Sequence, residues 1–408
     1  MPFLRTAARR RTSPSAILAL VLLVQAVATM GPLGMPAIAP MIRDALDLSL
    51  PQAGSFLSAF HAAPIVMSLA AGPIADRFGL GFSIVLGQAL IAFGFAGASL
   101  SSSFPVLIAM VALGGVGFGL LNPATTTAVI RWFPPAQRAT VVGVKQVGLP
   151  LGGALGALLL PPVALLVGWR LALAASAAAI VLATACTLLI YRDPPAPERP
   201  AGTASAPRRS VFRDRDIWCV AISSLVFAGV QTVWMGYLVL YLRDIGVGMA
   251  LAAALLGQAQ IAGVVARLVF GVLSDRLFGG RRRIVLVLAA CGSMLCTLGL
   301  ACTGDNSSAA WLSALVLGFG FFGIGWNGVQ HALIAELAGP ANAATAIGLG
   351  LATSSFGVVV LPPIFGWAVD WTGTYRDAWL GLGLFMAIAL AALAAVRERG
   401  ASASAAAA

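Results

Sequence analysis

The sequence predicts an all-α integral membrane protein of twelve membrane-spanning helices, arranged as two related six-helix bundles. The first observation is composition: 60% of the 408 residues are hydrophobic and only 10% are charged, with a mean hydropathy of +0.95. A soluble domain carries about 25% charged residues, so this chain cannot cover a surface that faces water. The second observation is a series of long apolar runs, and the third is that short segments of the first half recur in the second.

Twelve runs along the chain are long and apolar enough to cross a bilayer, which takes about 20 mostly apolar residues. The first follows an arginine cluster and resembles a secretory signal, but it exceeds the roughly 7–15 apolar residues of a signal core, so we interpret it as the first span. The predicted spans are 16–40, 54–75, 82–100, 106–130, 139–163, 170–191, 216–242, 250–274, 283–302, 310–335, 342–368 and 378–396.

The runs group into two bundles joined by a polar segment. Between the sixth and seventh runs lies "YRDPPAPERPAGTASAPRRSVFRDRD", rich in Pro, Ala and Arg and without apolar periodicity, which is typical of a linker. The predicted organisation is an N-terminal tail (1–15), a first bundle (16–191), a linker (192–215), a second bundle (216–396) and a C-terminal tail (397–408), the tails and linker being cytoplasmic.

Arginine is distributed unequally between the two sides of the predicted membrane. The side of the membrane that holds the N-terminus carries 19 arginines, and the other side carries four. Lys145 and Arg267 lie inside spans. Positively charged loops stay in the cytoplasm, so both termini are expected there, and the net charge of +11 does not indicate a nucleic-acid partner. We expect a monomer in a bilayer, the inner membrane of a bacterium.

The repeats relate one half of the chain to the other. "GPIADRFG" at 72–79 recurs as "GVLSDRLFGG" at 271–280, and "RATVVG" from Arg138 is echoed by "AATAIG" from Ala343, 205 residues later. Six helices followed by six related helices are typical of transporters whose two halves rock around a central substrate site.

These motifs resemble those of the major facilitator superfamily (MFS), across essentially the whole chain. The residues that carry the resemblance are Gly72, Asp76, Arg77 and Gly79 after the second span, and Gly271, Asp275, Arg276 and Gly279 after the eighth. The resemblance implies the MFS fold and secondary transport by alternating access. It also implies that Asp76 and Asp275 each sit against a helix start in the opposite half when the cytoplasmic side closes. The alternative is that these pairs only cap loops and set topology.

A second resemblance is partial. "GLPLGG" in the fifth span is similar to the glycine-proline signature of antiporters in this superfamily, but Leu149 separates Gly148 from Pro150 where the signature has them adjacent. The departure weakens an antiporter assignment.

Two cationic residues lie inside predicted spans. Lys145, the only lysine of the chain, lies about six residues into the fifth span, and Arg267 lies in the eighth. Each is a candidate ligand for an anionic substrate, although a long side chain can also bring its charge back to the membrane interface. The chain uses arginine wherever it merely needs positive charge, which favours a specific role for Lys145.

Neutral polar residues inside the spans supply further candidates. His61 and His331 could carry protons or be hydrogen-bonded packing residues. Amides could orient a substrate or join neighbouring helices. The candidate amides are Gln25, Asn122, Gln146, Gln231, Gln258, Asn327 and Gln330.

Carboxylates are absent from the middle of every predicted span. With cationic candidates and no acid, the cavity should prefer anions, so we predict a secondary transporter of a small organic or inorganic anion, such as a monocarboxylate, an aromatic acid or cyanate. Protons are one candidate coupling ion. A drug or metabolite efflux antiporter is the alternative, and a non-transporting receptor or scaffold is a minor one. No enzyme, cofactor or metal site is expected, since the five cysteines show no ligand spacing.

Two charged residues at the inner ends of the fourth and tenth spans complete the predicted cytoplasmic gate. Arg131 and Glu336 are 205 residues apart and opposite in sign. We predict that Arg131 lies near Asp76 and Glu336 near Arg276, joining each loop to its own bundle.

Overall fold

The computed structural model describes residues 13–134, 137–193, 211–304, 307–339 and 342–397, which form fourteen α-helices and no strand. Most of the predicted linker and both tails beyond Ser13 and Arg397 lie outside these residues. The first half contains α1 (Pro14–Gly34), α2 (Ala39–Leu46), α3 (Leu50–Phe78), α4 (Leu80–Ser99), α5 (Phe104–Trp132), α6 (Arg138–Val167) and α7 (Trp169–Ile190). The second half contains α8 (Arg215–Asp244), α9 (Met249–Val272), α10 (Arg282–Ala301), α11 (Ala309–Ile324), α12 (Asn327–Ala338), α13 (Ala343–Thr372) and α14 (Tyr375–Ala395).

The predicted spans are confirmed in number and order. Eleven helical segments of the described residues are long and apolar enough to cross a membrane, and α3 makes twelve if its bent parts form one span. The bend of 60° follows Pro64, whose missing N–H removes a helical hydrogen bond. Two spans are discontinuous: a 3₁₀ turn at Met35–Ile38 separates α1 from α2, and Gly325 and Trp326 separate α11 from α12.

Glycine allows one helix pair in each half to pack at backbone distance. A Cβ at Gly152 of α6 would stand within 3.0 Å of the Ala26 carbonyl oxygen in α1, and one at Gly357 of α13 would approach the Leu225 carbonyl oxygen in α8 as closely. These contacts are equivalent, since Gly152 and Gly357 differ by 205 residues and their partners by 199. Gly148 and Gly152 of the "GLPLGG" stretch therefore serve helix packing within the first half, whereas Gly153 faces Gln260 of α9 in the second half.

The two ends of the molecule differ in charge and in closure. We call the end where α1 begins and α14 ends the basic end, because it carries Arg77, Arg131 and the arginines around α10. At the opposite end, α3 packs on α13 and α6 on α9, so the halves meet there. Toward the basic end, Gly143 and Gly348 each have open space where a Cβ would stand.

A buried tyrosine closes the opposite end. The Tyr237 hydroxyl of α8 donates to the carbonyl oxygens of Leu50 in α3, at 3.2 Å, and Pro362 in α13, at 2.8 Å. Its ring fills the space left by Gly54 of α3 and Gly366 of α13, where an added Cβ would overlap it. A second bond between the halves runs from the Ser58 hydroxyl to the Val358 carbonyl oxygen, at 3.1 Å.

Candidate substrate site and gates

Lys145 lies in the interior of the protein rather than at a membrane interface. Its side chain is fully buried, and its amine reaches α5, where it bonds the backbone carbonyl oxygen of Asn122 at 3.2 Å, the Asn122 side-chain oxygen, and the Thr126 hydroxyl at 3.0 Å. All three partners are neutral. Reach toward the headgroups therefore does not explain this lysine.

Arg267 lies across the contact between the two halves. From α9 of the second half, one of its terminal nitrogens donates to the Gln146 backbone carbonyl oxygen of α6 at 3.0 Å. Gln146 directly follows Lys145 in the chain, so the structure brings the buried Lys145 and the partly buried Arg267 to the same level of the molecule. We call Lys145, Arg267, Asn122, Thr126 and Gln146 the cationic site.

Several polar atoms at this level lack partners among the described residues. They include Nε of Arg267, the side-chain oxygen of Gln146, and both amide atoms of Gln25, which is fully buried beside Gly148. A buried polar group without a hydrogen bond is costly, so such atoms favour a ligand or ordered water as a partner.

The two histidines differ in their surroundings. His61 bonds the Leu57 carbonyl oxygen of its own helix through Nδ1, at 2.9 Å, and packs edge-on against Phe60. That is the environment of a packing histidine. His331 in α12 lies close enough to Arg267 to interact with its charge, so it borders the cationic site.

Three of the remaining amide candidates form bonds within the second half, whereas the side-chain oxygen of Gln258 in α9 is buried without a partner among the described residues. The Gln231 side-chain oxygen accepts from the Trp326 indole at 3.0 Å, at the break between α11 and α12. Asn327 donates to the Ile324 carbonyl oxygen at 3.4 Å, and Gln330 donates to the Ser224 hydroxyl. These bonds join α8 and the broken span, which is the alternative to a substrate contact.

The repeat reveals that the cationic site is asymmetric. At the offset of 205 residues, Asn122 corresponds to Asn327 and Thr126 to His331, but Lys145 corresponds to Gly350. The amine has no counterpart in the second half, where Arg267 supplies the charge from a different helix.

At the basic end, Arg282 joins the charged residues of the second half. It forms ion pairs with Asp275 and, at 3.2 Å, with Glu336, and it also donates to the Ser274 hydroxyl at 2.9 Å. The arginine that forms an ion pair with Glu336 in the structure is Arg282, and the predicted proximity of Arg276 to Glu336 stays a prediction. A π-helical turn at Leu273–Leu277 changes the helical register around Asp275 and Arg276.

The gate residues of the first half have a different neighbour. Asp193, just after α7, accepts from the Gly81 backbone N–H at 2.8 Å and so caps the start of α4, next to the end of α3 that carries Arg77. Arg131 lies within electrostatic reach of Tyr191. The pairing of Arg131 with Asp76, and the contacts of Asp76 and Asp275 with the opposite half, stay predictions.

Replacing Arg282 with glutamine is expected to weaken the coupling between Asp275 and Glu336 but to leave the fold intact. Partly exposed ion pairs contribute about 0–1 kcal/mol each, so the thermal midpoint should change little. In a double-mutant cycle on uptake rate, Arg282→Gln and Glu336→Gln should be non-additive. Arg281→Gln, an exposed neighbour, is the matched control, and additive effects would show that the pair does not act as a unit.

The sequence did not single out three residues that the structure places at these sites. Thr126 faces the lysine because it lies one helical turn after Asn122, a spacing that "NPATTT" contains. Tyr237 and Arg282 carry no signal of their own, since a tyrosine in an apolar run and one arginine among three are common.

The architecture and the buried polar site define a membrane transporter of two related bundles. The chain belongs to the Major Facilitator Superfamily, whose sequence profile matches residues 18–350. It is therefore a transporter of anions or other small solutes and not an enzyme.

Known proteins similar to this chain include transporters of named anions. An uncharacterised MFS-type transporter of Mycobacterium tuberculosis (strain CDC 1551 / Oshkosh) is 30% identical, over 86% of this chain and 78% of the relative. A probable sulfoacetate transporter of Cupriavidus necator is 29% identical over 88% of each chain, and a gallate transporter of Pseudomonas putida is 27% identical over 72% of each. A crystal structure of a bacterial homologue of the human lysosomal transporter Spinster shares the fold, with a TM-score of 0.77 and 17% identity over 93% of this chain and 96% of that one.

Proposed function

We propose that this protein is a secondary transporter of a small organic anion, a carboxylate or sulfonate, that works by alternating access. The arginine-rich end is the cytoplasmic end, since positively charged loops stay in the cytoplasm. The conformation described above is then open to the cytoplasm and closed outside by Tyr237.

The observation that carries this proposal is the buried Lys145 amine close to the partly buried Arg267 guanidinium, with no acid in the described helices packed against α6. Lys145 lies on α6 of the first half and bonds α5, and Arg267 of the second half donates to Gln146, the next residue of α6. A buried charge without a counter-ion is costly, and an anion bound between the two would offset that cost. A cationic substrate would be repelled by both.

The relatives support the same class of substrate. Two of the relatives are named as transporters of sulfoacetate and gallate, which are organic acids that carry negative charge at neutral pH. Their shared chemistry is an anionic oxygen group, which an arginine fork and an amine both recognise.

The contact between Arg267 and Gln146 links this site to the conformational change. It joins the two halves by a single side chain that an anion can compete for. An anion that draws the guanidinium away from the carbonyl oxygen binds one conformation differently from the other, which is the condition for shifting their equilibrium.

The test is uptake by purified protein in proteoliposomes, with labelled gallate, sulfoacetate, lactate and a lipophilic cation. We expect uptake of at least one anion and none of the cation. Replacing Arg267 with glutamine should lower anion uptake by roughly 10- to 100-fold, since a hydrogen bond to a charged group is worth roughly 1.5–3 kcal/mol. Arg243→Gln, an exposed arginine at the opposite end, is the matched control. Uptake of the cation alone, or full anion uptake by the Arg267 variant, would contradict the proposal.

A further inference from the structure

The partners of the Lys145 amine suit both of its protonation states. An ammonium group has three N–H donors, and the Asn122 backbone oxygen, the Asn122 side-chain oxygen and the Thr126 hydroxyl can accept all three. A neutral amine has two N–H donors and a lone pair. It can donate to the two oxygens of Asn122 and accept from the Thr126 hydroxyl, whose hydrogen rotates to suit.

The Thr126 hydroxyl has an alternative bond that makes this exchange possible. In the structure it lies 2.7 Å from the Asn122 backbone oxygen, to which it donates. If the Thr126 hydroxyl turns its hydrogen toward a neutral amine, the Asn122 backbone oxygen still accepts a hydrogen bond from an N–H of Lys145. Neither protonation state leaves a buried polar atom of this group unpaired.

Among the residues that the structure describes, the elements packed against the helix of Lys145 contain no acid that would fix its charge. The elements packed against α6 are α1, α5, α7, α9 and the turn at Met35–Ile38, and neither they nor α6 contain Asp or Glu. The titratable or charged residues of all these elements, and of α12 beside Arg267, are Arg131, Arg138, Arg170, Cys186, Arg267, His331 and Glu336. Of these, Glu336 lies at the basic end and is paired with Arg282.

The charge of Lys145 therefore depends on whether an anion occupies the cationic site. With Arg267 nearby and no acid, burial and like charge both disfavour a second positive charge when the site is empty. A bound anion reverses the balance, because it supplies the counter-charge that the protein lacks. Arg267 cannot follow the same cycle, because a guanidinium is not deprotonated in proteins.

We propose that Lys145 carries the coupling proton: it is protonated when an anion is bound and neutral when the carrier returns empty. This inference rests on the anion transport proposed above. The proton comes from water on the side to which the site is open, binds the Nζ lone pair, and returns to water on the other side after the anion leaves. A monovalent anion and one proton then cross together, without net charge.

The experiment separates coupling from binding by comparing two modes of transport in proteoliposomes. The probe is labelled gallate, or sulfoacetate if the wild-type protein takes up only that anion. Net uptake is driven by a pH gradient at zero membrane potential, and exchange is measured with the same anion on both sides at equal pH. Exchange needs binding and conformational change but no net proton movement.

Lys145→Arg keeps a positive charge that cannot be removed. We expect exchange to be slower, since a guanidinium does not reproduce the geometry of an amine, but still measurable. Accumulation driven by the pH gradient should be lost even after division by the exchange rate, with the internal concentration no longer exceeding the external one. Thr126→Val removes one acceptor of the ammonium group and should shift the pH of half-maximal net uptake toward acid by up to about one unit, whatever its effect on the maximal rate, because hydrogen bonds to charged groups are the stronger ones. Arg243→Gln should match the wild type in both assays.

Other results would overturn the inference. Accumulation by Lys145→Arg at the wild-type ratio, or wild-type uptake that ignores the pH gradient, would exclude Lys145 as the proton carrier while anion transport stands. Loss of exchange together with accumulation in Lys145→Arg, with Thr126→Val unchanged, would make Lys145 a binding residue only. If the wild-type protein takes up no anion at all, the proposed function itself fails.

Discussion

Replacing Gly54 with leucine is expected to keep open the end of the transporter that Tyr237 closes, and to lower anion uptake by about 100-fold. A Cβ at Gly54 would overlap the Tyr237 ring, which is itself fixed by hydrogen bonds to Leu50 and Pro362. Overpacking costs about 1–3 kcal/mol or more, and a shift of about 2.8 kcal/mol changes the ratio of two conformations roughly 100-fold. The closed end would then be rarely populated, and the cycle would stall.

The shift can be measured by the labelling of a cysteine introduced at Ser58. In the structure this residue is nearly buried and bonded across the two halves to Val358. In a background without the five native cysteines, an impermeant maleimide should label Ser58→Cys faster when Gly54→Leu is present. Gly381→Leu, on an exposed face of α14, is the matched control. Equal labelling in both variants would show that Tyr237 does not close this end.

Replacing Gly156 with leucine is expected to prevent assembly of the first half and to lower the apparent melting temperature by about 10 °C or more. A Cβ at this position would stand within 3.0 Å of the Met30 carbonyl oxygen and of Gly34 in α1. Both neighbours are backbone, so the helices must separate rather than repack, and the cost should exceed about 3 kcal/mol.

Gly143→Leu provides the comparison within the same helix, because nothing lies near its Cβ position. Detergent-solubilised protein heated in steps and followed by its remaining soluble fraction gives both melting points. Similar melting points for the two variants would mean that the close contact of α1 with α6 is not a major source of stability.

The fold follows from the sequence because membrane spans are defined by length and apolarity, which a single sequence displays directly. The breaks in the first and tenth spans do not follow, since hydropathy is summed over side chains and is blind to the backbone. Pro36 and Gly325 lie at these breaks, yet other prolines of the chain, such as Pro150 and Pro162, lie inside continuous helices.

The site could be predicted only as a set of residue types. Lys145 and Arg267 stand out because charge is expensive in a span, and the structure brings Arg267 to Gln146, the neighbour of Lys145 on α6. Which neighbour each contacts depends on the rotation of α5 and α9 about their axes, and a single apolar sequence leaves that rotation undefined. For the same reason the sequence did not single out Arg282, which the structure pairs with Glu336.

The unequal division of charge between the repeats has a consequence for the ancestry of the site. Two copies of the first half would place two lysines and no arginine around a substrate. In this chain only one lysine is present, since Gly350 occupies the corresponding position of the second half. Two copies of the second half would supply two permanently charged arginines and no lysine. The halves are related in sequence but differ in the cation that each supplies, and neither half would reproduce this site as a symmetric dimer.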